Sequence, residues 1–239
     1  MNRIESNNDF VIRFANVNGS GSASANNLFA KAVFRLGVPV SPKNIFPSNI
    51  QGLPTWYEVR VNEYGYLGRR GGVDFVVAVN NKTLKQDYDS LLPGGYFLYD
   101  STKALPESFK RNDVIPIGIP LTELCNQAFD SARLRQLLKN IIYVGALSSL
   151  FSMDFSILTD SIRKQFKAKP KLAEPNINAL EIGFNYAEEH FKDTCGITIS
   201  PCETAKGSIM MDGNTATGLG AMYGGATVVG WYPITPSTS

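Results

Sequence analysis

The sequence predicts an α/β fold, in which a mostly parallel, Rossmann-like sheet is flanked by helices. Short apolar runs alternate along the chain with longer segments of helical periodicity, which is the pattern of such folds. One run, residues 73–79, is nearly all apolar and β-branched, as expected of a central strand that is covered on both faces. With 239 residues, of which 44% are hydrophobic and 18% are charged, the chain can bury a sizeable core.

A strand, a glycine-rich loop and a helix begin this pattern. Residues 11–15 are a short apolar run, and residues 18–22 follow as a tight loop of Asn, Gly and Ser. Residues 23–36 carry apolar side chains on one stripe and end before Gly37, which predicts a helix with a buried face. Together they open a βαβ unit whose crossover leads to a parallel strand at residues 38–45.

Further strands and one short helix are predicted in the next part of the chain. Residues 55–61 alternate between polar and apolar side chains, which predicts a half-exposed strand. Residues 96–99 and 114–117 are predicted to be two more strands. A short helix at residues 82–92 is expected to end at the sequence Pro93-Gly94-Gly95.

Helices dominate the following part of the chain, and they are predicted at residues 121–129, 133–151, 155–166 and 177–191. Gly145 destabilises the second of these helices by ~1 kcal/mol relative to alanine, which indicates a close contact with another helix. Four lysines surround Pro170, namely Lys164, Lys167, Lys169 and Lys171. A solvated helix end is favoured over a phosphate patch for this cluster.

The composition shifts near Gly196, where glycine and other small residues become frequent. We expect a first domain at residues 1–195, a linker at 196–213 and the beginning of a second domain at 214–239. That last part is predicted to contain a helix at residues 214–225 and a strand at residues 227–232. One helix and one strand cannot bury a core of their own, so we expect them to begin a larger domain. The alternatives are that this last part packs on the first domain or that it packs on a partner chain.

Charge and cysteine content exclude several classes of function. The net charge of +2 provides no global electrostatic argument for nucleic acid or for an anionic membrane. No stretch approaches the ~20 apolar residues of a membrane span. Cys125, Cys195 and Cys202 form no CxxC pair and, with the single His190, are too few for a zinc or iron–sulfur site built by this chain. These features predict a cytoplasmic protein without nucleic-acid or membrane partners.

The loop after the first strand is the first candidate site, and it consists of Asn18, Gly19, Ser20, Gly21 and Ser22. It lies where doubly wound sheets bind ligands, and its backbone N–H groups could hold a phosphate at the start of a helix. It does not match the dinucleotide-binding fingerprint, because Ser24 stands where the third glycine belongs. A structural turn and an anion-binding loop both remain open from the residues alone.

Three other places carry groups capable of chemistry. Arg69 and Arg70 lie in a loop between two predicted strands and could contact an anion, although solvated arginines are favoured. His190 could act as a base, but a lone histidine at the end of a helix more often interacts with the helix dipole. Thr235 is bracketed by Pro233 and Pro236, which would present its hydroxyl on a stiff backbone after a strand.

Two segments resemble the 2-oxoacid:ferredoxin oxidoreductases. The sequence Tyr232-Pro233-Ile234-Thr235-Pro236-Ser237, preceded by Asp-Gly-Asn-Thr-Ala at residues 212–216, is similar to the start of the alpha, or pyrimidine-binding, domain of that family. The first ~190 residues resemble its gamma domain, which has a βαβ opening of the kind described above. Residues 46–55, with Tyr57-Glu58-Val59-Arg60 after them, are similar to the gamma segment that follows its second strand.

The resemblance implies a function for the complete enzyme. Such an enzyme decarboxylates a 2-oxoacid on thiamine diphosphate, passes electrons through iron–sulfur clusters to ferredoxin and transfers the acyl group to coenzyme A. Thiamine diphosphate with its Mg²⁺ and the cluster ligands are expected largely on a partner beta subunit. Thr235 matches the threonine that hydrogen-bonds the substrate, with Tyr232, Pro233, Ile234 and Pro236 beside it as substrate-binding residues. By its position, the loop from Asn18 to Ser22 is expected to contact coenzyme A.

Two departures from the family pattern limit this inference. The usual GxGGxG opening is replaced by Asn18-Gly19-Ser20-Gly21-Ser22. The family's substrate-binding arginine and its activating glutamate would fall after Ser239, so this chain alone is predicted to be inactive. The alternatives are a Rossmann-like nucleotide-binding module and a structural assembly module without catalysis of its own.

Overall fold

The structure is a computed structural model that describes residues 2–45, 47, 50–107, 109 and 111–232. The chain divides into two compact units, Met1–Lys206 and Gly207–Ser239. Among the described residues, no helix is long and apolar enough to cross a membrane.

A six-stranded sheet forms the centre of the first unit. The strands of the unit are β1 (Glu5–Asn7), β2 (Asp9–Val17), β3 (Val40–Ile45), β4 (Pro54–Asn62), β5 (Val73–Ala78), β6 (Leu91–Asp100), β7 (Val114–Ile119) and β8 (Gly196–Thr198). The strand order in the six-stranded sheet is β3-β4-β2-β5-β6-β7. Strands β2, β5, β6 and β7 pair in parallel, as the fold class predicted. All six residues of β5 are buried, which confirms the central strand.

Strand β4 lies between β2 and β3 in the sheet, a position that the sequence did not indicate. It pairs antiparallel with both β2 and β3, so β3 runs in the same direction as β2 but is separated from it by β4. The prediction of a half-exposed β4 was wrong, because Glu58 and Arg60 are both buried. These charged side chains lie in an interior strand because each finds an ionic partner: Arg13 pairs with Glu58 at 2.9 Å and Arg60 with Asp9 at 2.5 Å.

Helices cover both faces of the sheet. They are α1 (Ser22–Arg35), α2 (Leu84–Asp89), α3 (Leu121–Ala128), α4 (Ala132–Leu150), α5 (Phe155–Gln165) and α6 (Ala173–Phe191), with a 3-10 turn at Pro170–Leu172. The short helix α2 ends earlier than predicted. Pro93, Gly94 and Gly95 lie within β6, where the pairing with β5 shifts register.

One face of the sheet, which we call the aromatic face, is built from Phe10, Ile12, Phe14 and Phe75, all fully buried. Phe151, at the end of α4, joins this cluster. Its ring centroid lies 5.2 Å from that of Phe10 and 5.0 Å from that of Phe75. Phe14 in turn contacts rings of α1 and α4, so aromatic packing holds both helices on this face.

Helices α4 and α6 approach each other through two glycines. An ideal Cβ on Gly145 would lie 2.0 Å from the carbonyl oxygen of Leu180, and one on Gly183 would lie 1.8 Å from that of Ile142. Neither space can hold a methyl group, since backbone lies on the other side. The predicted close helix contact at Gly145 is therefore confirmed.

The opposite face, which we call the ionic face, combines a small apolar cluster with buried charges. Tyr88 of α2 packs there with Val11, Val76 and Phe97. Asp74 is buried, accepts a hydrogen bond from the backbone N–H of Val11 at 2.7 Å and pairs with Arg70. A sheet face with covered carboxylates needs such partners, because an unpaired buried charge is strongly destabilising.

The compact unit continues through part of the segment that was predicted to be a linker. Strand β8 pairs in parallel with β1, and the backbone N–H of Ile199 donates to the carbonyl of Phe151 at 2.9 Å. Two more backbone bonds hold Cys202 and Ala205 to the end of α1, at 2.8 Å each. The first unit therefore includes residues up to Lys206.

The second unit contains one helix among its described residues, α7 (Gly213–Tyr223). Asp212 caps it, accepting from the backbone N–H of Thr215 at 2.8 Å. Residues 227–232 are not in a strand, contrary to the prediction. A strand requires backbone hydrogen bonds to a neighbouring strand, and none lies within the described part of this unit. Four of the residues predicted to bind substrate, Pro233, Ile234, Thr235 and Pro236, lie outside the described residues.

Candidate functional site

A cavity of about 470 Å³ opens at the carboxyl ends of strands β2 and β5. Asn16 and Val17 of β2 and Val79, just after β5, form its floor. Helix α1 leaves β2 on the aromatic face, whereas α2 leaves β5 on the ionic face. Ligands bind in open α/β sheets at such points of divergence, because the two connections leave a crevice between them. The volume lies within the ~300–1,000 Å³ range of small-molecule sites.

Asn18 and Ser20 of the predicted loop line this cavity, whereas Gly19, Gly21 and Ser22 of the same loop line a second, smaller one. Gly19 and Gly21 have φ values of 83° and 77°, a conformation that favours glycine, and Gly21 precedes the first turn of α1. No side chain caps the start of α1 among the described residues, so its first backbone N–H groups are not occupied by a capping side chain. This geometry fits an anion at the start of the helix.

Helix α4 holds the loop in place from the other side. The side-chain amide of Asn140 donates to the carbonyl of Ser20 at 2.9 Å, and Asn140 is only 2% exposed. An ideal Cβ on Gly21 would lie 2.5 Å from the side chain of Leu137, so α4 packs directly on the loop. The buried hydroxyl of Tyr143 donates to Asn26 Oδ1 at 2.7 Å and thereby connects α4 to α1.

Asn16 is the most distinctive polar group of the site. Its side chain is 3% exposed and lines the cavity. It interacts with the hydroxyl of Tyr143, but its Nδ2 makes no hydrogen bond of normal geometry with the residues that the structure describes. A buried amide donor without an acceptor costs about 1–3 kcal/mol. A ligand with an acceptor oxygen or nitrogen in the cavity would remove that penalty.

Two cations and no carboxylate line the cavity among the described residues. Arg135 and Lys139 lie one turn apart on α4. Lys139 Nζ lies 3.4 Å from Thr122 Oγ1 and 3.7 Å from a carboxylate oxygen of Asp100. Arg135 has no ion pair within the described part of the chain, and its fork of donors matches phosphate or carboxylate. The cavity is therefore positively charged.

Asp100 lies behind this wall as the counter-charge for Lys139. Burial favours its neutral form, but hydrogen bonds from Thr122 and Thr102 and the charge of Lys139 outweigh it, and the pKa of Asp100 lies below its usual value. Asp100 therefore stays ionised and holds the Lys139 ammonium in position. Cys125 also lines the cavity, and burial raises the pKa of its thiol.

A smaller cavity of about 260 Å³ lies on the other side of the same loop. It is lined by the start of α1, including Ser22 and Ala23, and by Trp56 and Tyr57 of β4. Asn16 lines both cavities. The loop predicted from the sequence thus separates two cavities, of which the larger has the volume of a small-molecule site.

The other candidates do not converge on this site. Arg69 and Arg70 pair with Glu58 and Asp74 on the ionic face, which agrees with a structural role. His190 is exposed at the end of α6, where its Nδ1 lies 3.0 Å from the carbonyl oxygen of Tyr186. The described residues contain no group of three or more His, Cys, Asp or Glu that could hold a metal ion.

Two cysteines also lie away from the cavity. Burial raises the pKa of Cys195 to about 12. The side chain of Thr204 lowers the pKa of Cys202 by hydrogen bonding. Tyr232 of the predicted substrate segment is exposed in the second unit.

Sequence reasoning missed the residues that α4 contributes. Asn140 and Ser20 are 120 residues apart along the chain, and no local pattern joins them. One signal was available: Arg135, Lys139 and Asn140 are polar residues at spacings that place them on one side of the predicted helix.

Comparisons with known proteins agree on one group of enzymes. The sequence profile of the family described as pyruvate ferredoxin/flavodoxin oxidoreductase matches residues 11–186. The 2-oxoglutarate oxidoreductase subunit KorA of Mycobacterium tuberculosis is 28% identical over 95% of this chain and 39% of its own length. Subunit alpha of the 2-oxoacid:ferredoxin oxidoreductase 2 of Aeropyrum pernix is 24% identical over 92% of this chain and 40% of its own length. The chain thus spans about two-fifths of the length of these curated relatives.

Solved structures extend the comparison. A 2-oxoglutarate:ferredoxin oxidoreductase from Magnetococcus marinus, solved with 2-oxoglutarate, coenzyme A and succinyl-CoA bound, matches with a TM-score of 0.82 and 29% identity. The match covers 97% of this chain and 40% of that one. The pyruvate oxidoreductase subunit PORC from Thermotoga maritima, at 20% identity and a TM-score of 0.60, shares the fold; the match covers 74% of this chain and 96% of that one.

Proposed function

This chain belongs to the pyruvate ferredoxin/flavodoxin oxidoreductase family, and from that premise we propose that it binds coenzyme A as part of a 2-oxoacid:ferredoxin oxidoreductase. The complete enzyme would oxidatively decarboxylate a 2-oxoacid to the acyl-CoA and reduce ferredoxin. This chain would contribute part of the alpha subunit with its fused gamma domain.

The observation that carries the coenzyme A proposal is the charged cavity with its unpartnered amide. Coenzyme A has phosphate groups at one end and a pantetheine arm with amide carbonyls at the other. Arg135 and Lys139 would bind phosphate oxygens, beside Asn18 and Ser20 of the predicted loop, which line the same cavity. The Nδ2 of Asn16 would donate to an acceptor oxygen deeper in the cavity.

A binding measurement tests this proposal. Isothermal titration of the purified chain with coenzyme A should give saturable binding, and Lys139→Ala and Asn16→Ala should each weaken it about ten-fold. Lys85→Ala is the matched control, since Lys85 is exposed on α2, pairs with Asp89 at 2.5 Å and does not line the cavity. Absence of binding would contradict the proposal. Tight NAD(P) binding instead would favour the Rossmann-like nucleotide-binding module.

Catalysis is proposed to require a partner beta subunit. By the family resemblance, that subunit would supply most of the contacts to thiamine diphosphate and its Mg²⁺ and most of the ligands of the iron–sulfur cluster. Thr235, flanked by Tyr232, Pro233, Ile234 and Pro236, would donate a hydrogen bond to the oxoacid oxygen as negative charge develops on it. The free thiols of Cys125, Cys195 and Cys202 suit a reducing cytoplasm, where we place the protein.

The role of Thr235 has a test of its own. In the complete enzyme, with the full-length alpha subunit and the beta subunit, Thr235→Ala should lower kcat by about 10²–10³, the range found when one such donor is removed. Thr235→Ser keeps the hydroxyl and should retain most of the activity. Equal activity of wild type and Thr235→Ala would exclude this role.

A further inference from the structure

A second charged cleft, of about 440 Å³, lies between helices α1 and α5. It shares no lining residue with the cavity assigned to coenzyme A. Its charged lining consists of Lys31 and Arg35 from α1 and Lys164 from α5. We propose that this cleft binds the phosphate group of a second small organic ligand, whose apolar part occupies the adjoining cavity.

The charge of the cleft is not neutralised within the described part of the chain. No acidic residue lines it, and neither Lys31 nor Lys164 has an ion pair there. The neighbouring acid on α5, Asp160, lies 3.5 Å from Arg163 instead. Lys167, Lys169 and Lys171 follow directly in the sequence and increase the positive potential. Of the four lysines around Pro170, Lys164 is the one that lines this cleft together with the cations of α1.

One of the cations is held in place by a buried hydroxyl. The guanidinium of Arg35 donates to Ser161 Oγ, and Ser161 is only 4% exposed. That hydroxyl in turn donates to the carbonyl of Ile157 at 2.5 Å. Arg35 is therefore oriented before any ligand arrives, which reduces the entropy lost on binding. Ser24 also lines the cleft and adds a hydroxyl.

An apolar cavity beside the charged cleft provides space for the second part of the ligand. This cavity has a volume of about 340 Å³ and shares Ser24, Leu28 and Gln165 with the cleft. That cavity is lined mainly by leucine and isoleucine side chains of α1, α4 and α5, and it extends to Gly21. A charged cleft that continues into an apolar one matches a ligand with a phosphate head and an apolar body.

Nuclear magnetic resonance of the ¹⁵N-labelled chain tests the charged part. Inorganic pyrophosphate, titrated at constant ionic strength, should give saturable shifts of the amides of Asn27 and Ser161. Lys31→Gln and Lys164→Gln should each weaken this binding about ten-fold. Lys167→Gln removes the same charge from the same end of α5 but does not line the cleft, and it should change the affinity less than two-fold.

The outcomes distinguish specific binding of pyrophosphate in the cleft from non-specific attraction of anions to a basic surface. The proposal is wrong if pyrophosphate gives no saturable shift. It is also wrong if Lys167→Gln weakens pyrophosphate binding as much as Lys164→Gln does. Citrate of matched charge should bind more weakly, and equal binding would overturn the assignment to phosphate. The amides of Asn27 and Ser161 are sensitive to binding in the second cleft only. A negative result in the pyrophosphate titration therefore leaves the coenzyme A titration and its Lys139→Ala variant unaffected.

A second probe tests the apolar part. Octyl phosphate below its micelle concentration should bind more tightly than inorganic phosphate, because burial of each methylene contributes ~0.8 kcal/mol. It should also shift amides beside Leu137 and Ile141. Octyl phosphate binding no tighter than phosphate would overturn the two-part ligand. Binding to phosphatidylglycerol vesicles without binding to octyl phosphate would indicate a membrane surface and would equally overturn it.

Discussion

The two faces of the six-stranded sheet are held to their covering layers by different forces. On the aromatic face, fully buried rings of the sheet pack against α1 and α4 without any charged group between them. On the ionic face, Glu58 and Asp74 are buried in the sheet and pair with arginines of β2 and of the loop after β4. The stability of the aromatic face should therefore depend on side-chain volume, and that of the ionic face on charge and hydrogen bonding. The candidate site lies where the connections to the two faces diverge.

The largest expected effect is at Phe151 on the aromatic face. Phe151→Ala would leave a cavity among the rings of Phe10, Phe29 and Phe75 and should lower the free energy of unfolding by about 3–5 kcal/mol. Phe151→Leu keeps most of the volume and should lose less than about half of that. Urea denaturation followed by circular dichroism measures both. Equal losses for the two variants would show that volume does not govern this face.

A smaller effect is expected at Asp74 on the ionic face, where the dependence should be on acceptor atoms. Asp74→Ala leaves the N–H of Val11 without its acceptor and should lower the free energy of unfolding by about 1–3 kcal/mol. Asp74→Asn keeps an acceptor oxygen of nearly the same shape and should lose about 1 kcal/mol. The same denaturation experiment applies. If Asn is as harmful as Ala, the charge, not the hydrogen bond to Val11, is what this position requires.

Asp87 makes the ionic face sensitive to pH. Burial raises the pKa of its carboxyl above 3.8, although hydrogen bonds from Thr83 and Trp56 partly oppose this. The folded state then binds the proton more tightly than the unfolded state does. Consequently, the contribution of Asp87 to stability decreases as the pH rises from 3.8 through its folded pKa. The stability of the wild type relative to Asp87→Asn should fall across that window.

Asp154 provides a control, because its contribution to stability should change with pH in the opposite direction to that of Asp87. The side chain and backbone N–H of Ser156 lower the pKa of Asp154, which caps α5. Its contribution is therefore present above pH 3.8 and is lost as the pH falls through the folded pKa. Relative to Asp154→Asn, the stability of the wild type should rise with pH. Parallel slopes for the two variants would contradict the assignment of burial as the dominant cause at Asp87.

The aromatic face was largely predictable from the sequence, and the ionic face was not. Apolar runs and helical stripes are local patterns, so the strands, the helices and the contact at Gly145 followed from them. The burial of Glu58 depends on Arg13 and Arg69, which come from other parts of the chain. Alternation alone predicted that Glu58 faces solvent, because it records side-chain type and not the partners that the fold supplies.

The candidate site divides in the same way. The glycine-rich loop is contiguous, and from its position after the first strand we predicted a ligand site at a place where the structure has a cavity. The residues that give the cavity its charge, Arg135 and Lys139, come from α4, more than a hundred positions later. Asn16 looks like an ordinary strand residue in the sequence. Only the fold places its amide in a buried cavity without an acceptor among the described residues.

The smallest expected effect, at Arg69, distinguishes buried from exposed ion pairs on the ionic face. Glu58 has two arginine partners, since Arg13 lies at 2.9 Å and Arg69 at 3.2 Å. Arg69 is 59% exposed, so Arg69→Ala leaves Glu58 paired with Arg13 and should lower the free energy of unfolding by less than about 1 kcal/mol. Arg13 is 22% exposed, and Arg13→Ala should be the more harmful variant. The double variant should lose more than the sum of the two, because only then is the carboxylate of Glu58 buried without a partner. Strict additivity in a double-mutant cycle would mean that the two arginines act independently, so that neither compensates at Glu58 for the loss of the other.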